Sequence, residues 1–257
     1  LRNSNTTGFA DISFTFGSGA NLYPVAGDWN GDGVDSIGVY NTTTGTFSLR
    51  NSNSAGAADY TLTLGNPNDR PFAGKWSSDM TGDGVGVYRD SNGVLYLKKA
   101  LTTGFADYFA ILGNPGDRSM AGDWDGNGLD SPGVYRPSSA TFYMTNLVPT
   151  GVVFGDYAVV FGNGTELPVA GDWTGQNHSG VGLFRPSDGF IYLKNNLSNG
   201  FADINVYFGA SGDLPIAGKW VAGPLPPPQA KPSLSGIIVS GNNTGSGSNT
   251  TDTGIAD

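Results

Sequence analysis

One segment recurs five times along the chain, and that recurrence limits the architecture more than any other feature. It reads Ala26-Gly27-Asp28-Trp29, Ala73-Gly74-Lys75-Trp76, Ala121-Gly122-Asp123-Trp124, Ala170-Gly171-Asp172-Trp173 and Ala217-Gly218-Lys219-Trp220, with Trp-to-Trp steps of 47, 48, 49 and 47 residues. A second marker keeps the same beat: Phe16-Gly17, Leu64-Gly65, Leu112-Gly113, Phe161-Gly162 and Phe208-Gly209. A third is an Asp ahead of it, at Asp11, Asp59, Asp107, Asp156 and Asp203. Three markers in register exclude chance similarity. A period of roughly 20–50 residues means one supersecondary unit repeated, each copy burying a face against the next.

Each repeat holds four short apolar runs. In the second they are Phe72 to Trp76, Val85 to Tyr88, Val94 to Leu97 and Tyr108 to Leu112. They are aromatic and β-branched, and Gly, Asn, Asp, Ser and Pro separate them, so they read as strands joined by turns. No stretch sustains a helical period. Four strands per repeat predict an all-β fold, a five-bladed β-propeller of four-stranded antiparallel blades spanning residues 1–222. The Ala-Gly pair is expected on the innermost strand, where blades crowd the axis, with the Trp wedged between sheets. The chain begins in the middle of a repeat and its last repeat stops after the first strand. The fifth blade is therefore expected to be a composite of residues 1–17 and 215–220, closing the ring and removing open sheet edges. That composite lacks a second strand.

The tail suggests a replacement. Residues 223–235 form a Pro-rich linker, expected to be stiff. Residues 236–257 are polar except for one strand-like run, Gly236-Ile237-Ile238-Val239-Ser240. That run either completes its own fifth blade or, through Ile237, Ile238 and Val239, augments the sheet of another copy. The second case is a head-to-tail contact that propagates into a fibre.

Composition narrows the function. The chain of 257 residues has a formal net charge of -9 with only 13 Lys and Arg, which argues against nucleic acid as a partner. It has no Cys, which excludes thiolate metal sites and a Cys nucleophile, and its single His178 and single Glu166 leave little for acid–base chemistry. The chain reads as a non-enzyme. No apolar run reaches the roughly 20 residues a membrane span needs. It opens on Leu1-Arg2-Asn3, which reads as a processed product. Abundant Asn, Ser, Thr and Gly with few charges suits a secreted or cell-surface protein, and seven Asn-x-Ser/Thr sequons are present.

Two loops carry a recognisable chemistry. The first repeat reads Asp28-Trp29-Asn30-Gly31-Asp32-Gly33-Val34-Asp35, and the third Asp123-Trp124-Asp125-Gly126-Asn127-Gly128-Leu129-Asp130. Acids or amides at positions 1, 3 and 5, a Gly at 6, a carbonyl at 7 (Val34, Leu129) and an acid at 8 (Asp35, Asp130) resemble an oxygen-donor Ca²⁺ loop. The same composition also makes ordinary tight turns. The second repeat keeps only Asp79-Met80-Thr81-Gly82-Asp83-Gly84, the fourth keeps Asp172, and Lys75 and Lys219 replace the first acid elsewhere.

With its Phe-Gly and Ala-Gly-Asp-Trp markers and these loops, the chain up to about residue 220 resembles the FG-GAP/VCBS-type repeats of integrin-like β-propellers. The resemblance implies calcium held by Asp28, Asn30, Asp32 and Asp35, and by Asp123, Asp125, Asn127 and Asp130. This sequence departs from the family in placing the last acid one position early, and in having five repeats where the integrin ring has seven blades.

Arg89, Arg136 and Arg185 follow the second run in three repeats, and either pack on an aromatic and pair with an acid such as Asp90 or bind an anionic ligand. The aromatics beside them, Tyr40, Tyr88, Tyr135, Phe184, Phe47, Tyr96, Phe142 and Tyr192, are expected mainly between blades. His178 reads as an exposed loop residue, and the lone Glu166 makes no glycosidase pair. The expected function is a calcium-stabilised structural or adhesive surface module, self-assembling through its tail. The alternative is a multivalent propeller that binds glycans.

Overall fold

The computed structural model describes residues 1–148, 150–220 and 235–241. Each complete repeat forms one antiparallel meander, as short local hairpins with Gly- and Asn-bearing turns dictate. The first blade is β1 (Leu22–Gly27), β2 (Ser36–Asn41), β3 (Thr46–Leu49) and β4 (Tyr60–Thr63). The second is β5 (Arg70–Gly74), β6 (Gly84–Arg89), β7 (Val94–Lys98) and β8 (Tyr108–Ile111). The third contains β9 (Arg118–Gly122), β10 (Ser131–Arg136) and β11 (Thr141–Met144). Its longer outer loop then lays β12 (Gly151–Val152) parallel to β8 of the second blade before returning as β13 (Tyr157–Val160). The fourth is β14 (Leu167–Gly171), β15 (Gly180–Arg185), β16 (Phe190–Lys194) and β17 (Ile204–Tyr207).

The first strands of the repeats line the axis. β1 lies against β5, β5 against β9, β9 against β14, and β14 against β18 (Asp213–Lys219), which returns to β1. The ring of inner strands is thus closed and five-membered, but it carries four four-stranded blades, not the five expected. β18 pairs over seven rungs, from Asp213↔Gly241 to Lys219↔Ser235, with β19 (Ser235–Gly241) in a separate two-stranded sheet. The expected composite sheet is corrected accordingly. Residues 1–17 form no strand and share no sheet with β18. Without a second strand in register beside them, they keep a single rung, in which Leu1 N donates to Ile12 O at 2.6 Å and Asp11 N and Ile12 N donate to Leu1 O. They join the fifth sector by packing instead: Leu1, Ile12, Phe14 and Phe16 gather on Ile216, Trp220 and Ile37. The linker and tail expectations for residues 221–234 and 242–257 lie outside the described residues.

The core runs between blades. Trp29 clusters with Val85 and Val87 of the next blade, Trp76 with Val134, Trp124 with Val181 and Leu183, Trp173 with Ala217, and Trp220 with Ile37. All five Trp are 2–4% exposed, so the marker residue is an inter-blade wedge. Second strands are buried on both faces, which explains their near-continuous apolar runs. Tyr40, Tyr88, Tyr135, Phe184, Phe47 and Phe142 are fully buried, as expected of inter-blade aromatics.

Candidate functional site: the loops at the axial channel

The Ala-Gly pairs line an axial channel of about 530 Å³, together with Asp35, Asp83, Asp130, Asp172, Ser179 and Lys219 at its loop end. The inner-strand Gly is required there by close approach. A Cβ on Gly74 would stand 2.8 Å from the Asp130 Cβ, and one on Gly218 2.9 Å from the Asp35 Cβ. These acids come from the following blade, and the contact they make is the organising feature of the site.

Each acid latches its blade to the one before. Asp35 N donates to Lys219 O while its Oδ2 accepts Lys219 N at 2.5 Å. Asp83 does the same with Asp28, its Oδ2 accepting Asp28 N at 2.8 Å, and Asp130 with Lys75 at 2.8 Å. In the fourth blade Ser179 replaces the acid, its Oγ accepting Asp123 N at 3.1 Å. A two-point backbone clamp therefore joins neighbouring sectors beside the axis. Asp35 and Asp130 stand where the Ca²⁺-loop reading put the closing acid, and both are turned to the preceding blade instead.

Burial shapes their titration. Desolvation in the channel wall pushes Asp35 up to about 6, against the pull of the Lys219 N–H and charge. It pushes Asp130 up to about 6 as well, opposed by the Lys75 N–H and charge. Asp83 rises well above the ordinary range, through burial first and then the charges of Asp130 and Asp35.

The remaining loop donors stay together. Asp28 caps its own loop: Oδ1 accepts Gly31 N and Asp32 N, and Oδ2 accepts Gly33 N, at 2.7–3.0 Å. Asp123 repeats this with Gly126, Asn127 and Gly128. Asp172 repeats it again with Gly175, Gln176 and Asn177, in a loop that has lost the other acids. The first Asp therefore serves the turn whether or not the rest of the motif is present. Position 5 caps locally too, with Asp32 Oδ1 accepting Val34 N and Asn127 Oδ1 accepting Leu129 N. Among the described residues no three acidic or histidine side chains converge as a metal cluster. What each loop can offer a cation is two carboxylates (Asp28 and Asp32, or Asp123 and Asp125), one amide oxygen (Asn30 or Asn127) and a carbonyl (Val34 or Leu129). These are hard oxygen donors of the type calcium takes, but fewer than its usual 6–8, so water must supply the balance.

The arginines pack as their stems allow. Arg89, Arg136 and Arg185 lie over Tyr96, Tyr143 and Tyr192 at 4.5, 4.6 and 4.4 Å. Their carboxylates are Asp69, Asp117 and the fully buried Glu166, whereas Asp90 pairs with Arg70. Tyr96 and Tyr192 lie half-exposed beneath arginines while still packing against the inter-blade clusters around Trp29 and Trp124. His178 is half-buried, not exposed.

Sequence reading missed Asp83 and Ser179 as latches. Their signal is position: an acid or hydroxyl immediately before each second strand. It also missed Phe9, Phe105, Phe154 and Phe201, which are 85–96% exposed. Each sits two residues before the repeat Asp, and Ala57 takes that place in the first blade. Arg2, Lys98 and Lys194 hold three of these loops by donating to the carbonyls of Phe9, Phe105 and Phe201. An aromatic in a strand-rich repeat reads as core, and only the loop geometry reveals it as a tip.

No family model matches the chain, and no curated protein matches it, so the FG-GAP/VCBS resemblance is not confirmed. Among solved structures it is similar to the crystal structure of BBS1N in complex with ARL6DN, soaked with lead, at 10% identity and a TM-score of 0.45. The match covers 86% of this chain and 66% of that one. At this level the likeness adds nothing to what the strand pairing already shows: an all-β propeller of antiparallel four-stranded sheets.

Proposed function

We propose that the chain is a secreted or cell-surface structural module that assembles by exchange of β19. The observation that carries this reading is the seven-rung pairing of β18 with a strand reached through residues 220–234. The fifth sector has a strand slot filled from the tail. The same register is open to the β19 of a neighbouring copy, which makes a heterologous, propagating contact.

The test uses the absence of native cysteine. Lys219→Cys and Ser235→Cys stand opposite each other in the register. Oxidation at high protein concentration should give a ladder of disulfide-linked multimers on a non-reducing gel. Cross-linked monomer alone, with no filaments by electron microscopy, would refute exchange.

Calcium in this reading stabilises and does no chemistry. The loops at Asp28–Val34 and Asp123–Leu129 hold it weakly, with a Kd of about 1 mM as in extracellular modules. A concentration of about 10 mM should then stabilise the fold by about 1.4 kcal/mol per site. Asp32→Asn should remove the response of the first loop, and Asp35→Asn should preserve it, because Asp35 serves the latch. Melting curves identical in calcium and in chelator would remove calcium from the account.

A second reading, multivalent glycan binding, draws support from the Phe9, Phe105, Phe154 and Phe201 tips, since exposed rings stack on sugar faces and several weak sites add avidity. A glycan array in calcium, with and without alanine at these four positions, distinguishes it.

A further inference from the structure

The inner strands begin at the face opposite the Asp-Gly loops, and their first residues form the second mouth of the axis. Tyr23, Arg70, Arg118, Leu167 and Leu214 stand one per sector around a cup of about 120 Å³, above a collar rich in proline. The cup is thus basic on one side and apolar on the other. The remaining arginines of this region are engaged by carboxylates: Arg70 with Asp90 at 2.7 Å, Arg89 with Asp69 and Arg136 with Asp117 at 2.8 Å, and Arg185 with Glu166 at 2.9 Å.

Arg118 is different. Among the described residues it makes no ion pair, and its one hydrogen bond runs from Nη1 to the backbone carbonyl of Glu166. It is half-buried. Desolvation, and after it the positive charge of Arg70, holds its guanidinium below the usual value. Arg70 gives Asp90 only its Nη2, so an anion beside Arg118 supplies the partner Arg118 lacks, offsets the residual charge of Arg70 and can reach the remaining donors of Arg70. A planar carboxylate matches the guanidinium fork.

We propose that this cup binds a small aliphatic carboxylate, with its head on Arg118 and Arg70 and its alkyl part against Leu167 and Leu214. The volume admits a chain of only a few carbons. The site lies at the far end of the axis from the latch acids, and both arginines that define it lie on inner strands β5 and β9, away from the β18–β19 pair.

The test follows the arginine Nε–Hε resonances of the ¹⁵N-labelled full chain at constant ionic strength. Formate, acetate, propionate and sulfate are titrated in turn against sodium chloride. The expected result is a saturable shift at Arg118 and Arg70. Affinity should rise about two- to fourfold per methylene from formate to propionate, as burial of a CH₂ requires. Arg118→Met keeps the aliphatic stem and should abolish saturation at Arg70, leaving Arg89, Arg136 and Arg185 unchanged. Arg70→Met, read at Arg118, gives the same answer should the first variant fold poorly. Shifts that stay linear, that spread over all arginines, or that sulfate reproduces as well as propionate would overturn the proposal.

Discussion

Acidification from pH 8 to pH 5 should raise the melting temperature of this protein by roughly 5–10 °C. The cause is the latch. Burial pushes Asp35 and Asp130 up to about 6 in the folded ring against a usual 3.8, and Asp83 is raised in the same direction. A raised carboxylate binds its proton more tightly in the native state than in the unfolded chain. Its contribution is therefore full at low pH and is lost as pH rises through the folded value. A two-unit shift corresponds to at most about 3 kcal/mol, and only part of it is realised between pH 8 and pH 5, so about 1 kcal/mol per acid is the working figure. The gain has a floor. Burial alone would raise Glu166, but the Asn163 N–H and Arg185 hold it below its ordinary range, so stability is lost again as that group protonates. Asp83→Asn isolates the effect: the amide oxygen still accepts Asp28 N and no charge is buried. This variant should melt above the wild type at pH 8 and converge with it near pH 4. A flat wild-type profile between pH 8 and 5, followed by circular dichroism, would show that the latch acids do not carry buried charge.

Trp124→Ala should destabilise the ring by about 3–5 kcal/mol, the usual cost of deleting a buried large aromatic. Trp124 is 4% exposed, wedges between the third and fourth blades, and donates Nε1–H to Ser131 O at 3.0 Å. The cavity lies between two sheets already pinned by the Ser179–Asp123 clamp beside it, so neither backbone can readily relax into it. Trp124→Phe restores most of the volume but leaves the Ser131 carbonyl unpaired, and should cost roughly half as much. Phe105→Ala provides the contrast, because a ring 96% exposed contributes little to the folded state. Urea titration of the three variants checks the order. An equal loss for Trp124→Ala and Phe105→Ala would contradict the wedge.

Most of the blade plan was legible because it is local. Val94-Leu95-Tyr96-Leu97 and its neighbours pair within hairpins a few residues long, so strand type, turn chemistry and a four-strand unit follow from one repeat. The Ala-Gly inner strand and the Trp wedge were legible for the same reason, repeated five times. The candidate site was legible only in part. Asp28 and Asp32 stay on their loop, as spacing implies, whereas Asp35 is drawn to a backbone N–H far along the chain. A seven- or eight-residue pattern contains no information about the preceding blade.

The sequence by itself determined the repeat, the antiparallel sheets and the small residues at the axis, since these depend on propensity, turns and periodicity within about fifty residues. Tertiary structure alone decided that four blades are complete, that β19 rather than residues 1–17 lies beside β18, and that Asp35, Asp83 and Asp130 clamp neighbours. Those choices are settled by competition between chain ends for one strand edge and by contacts across the ring. Their energies depend on partners that adjacency along the chain does not specify.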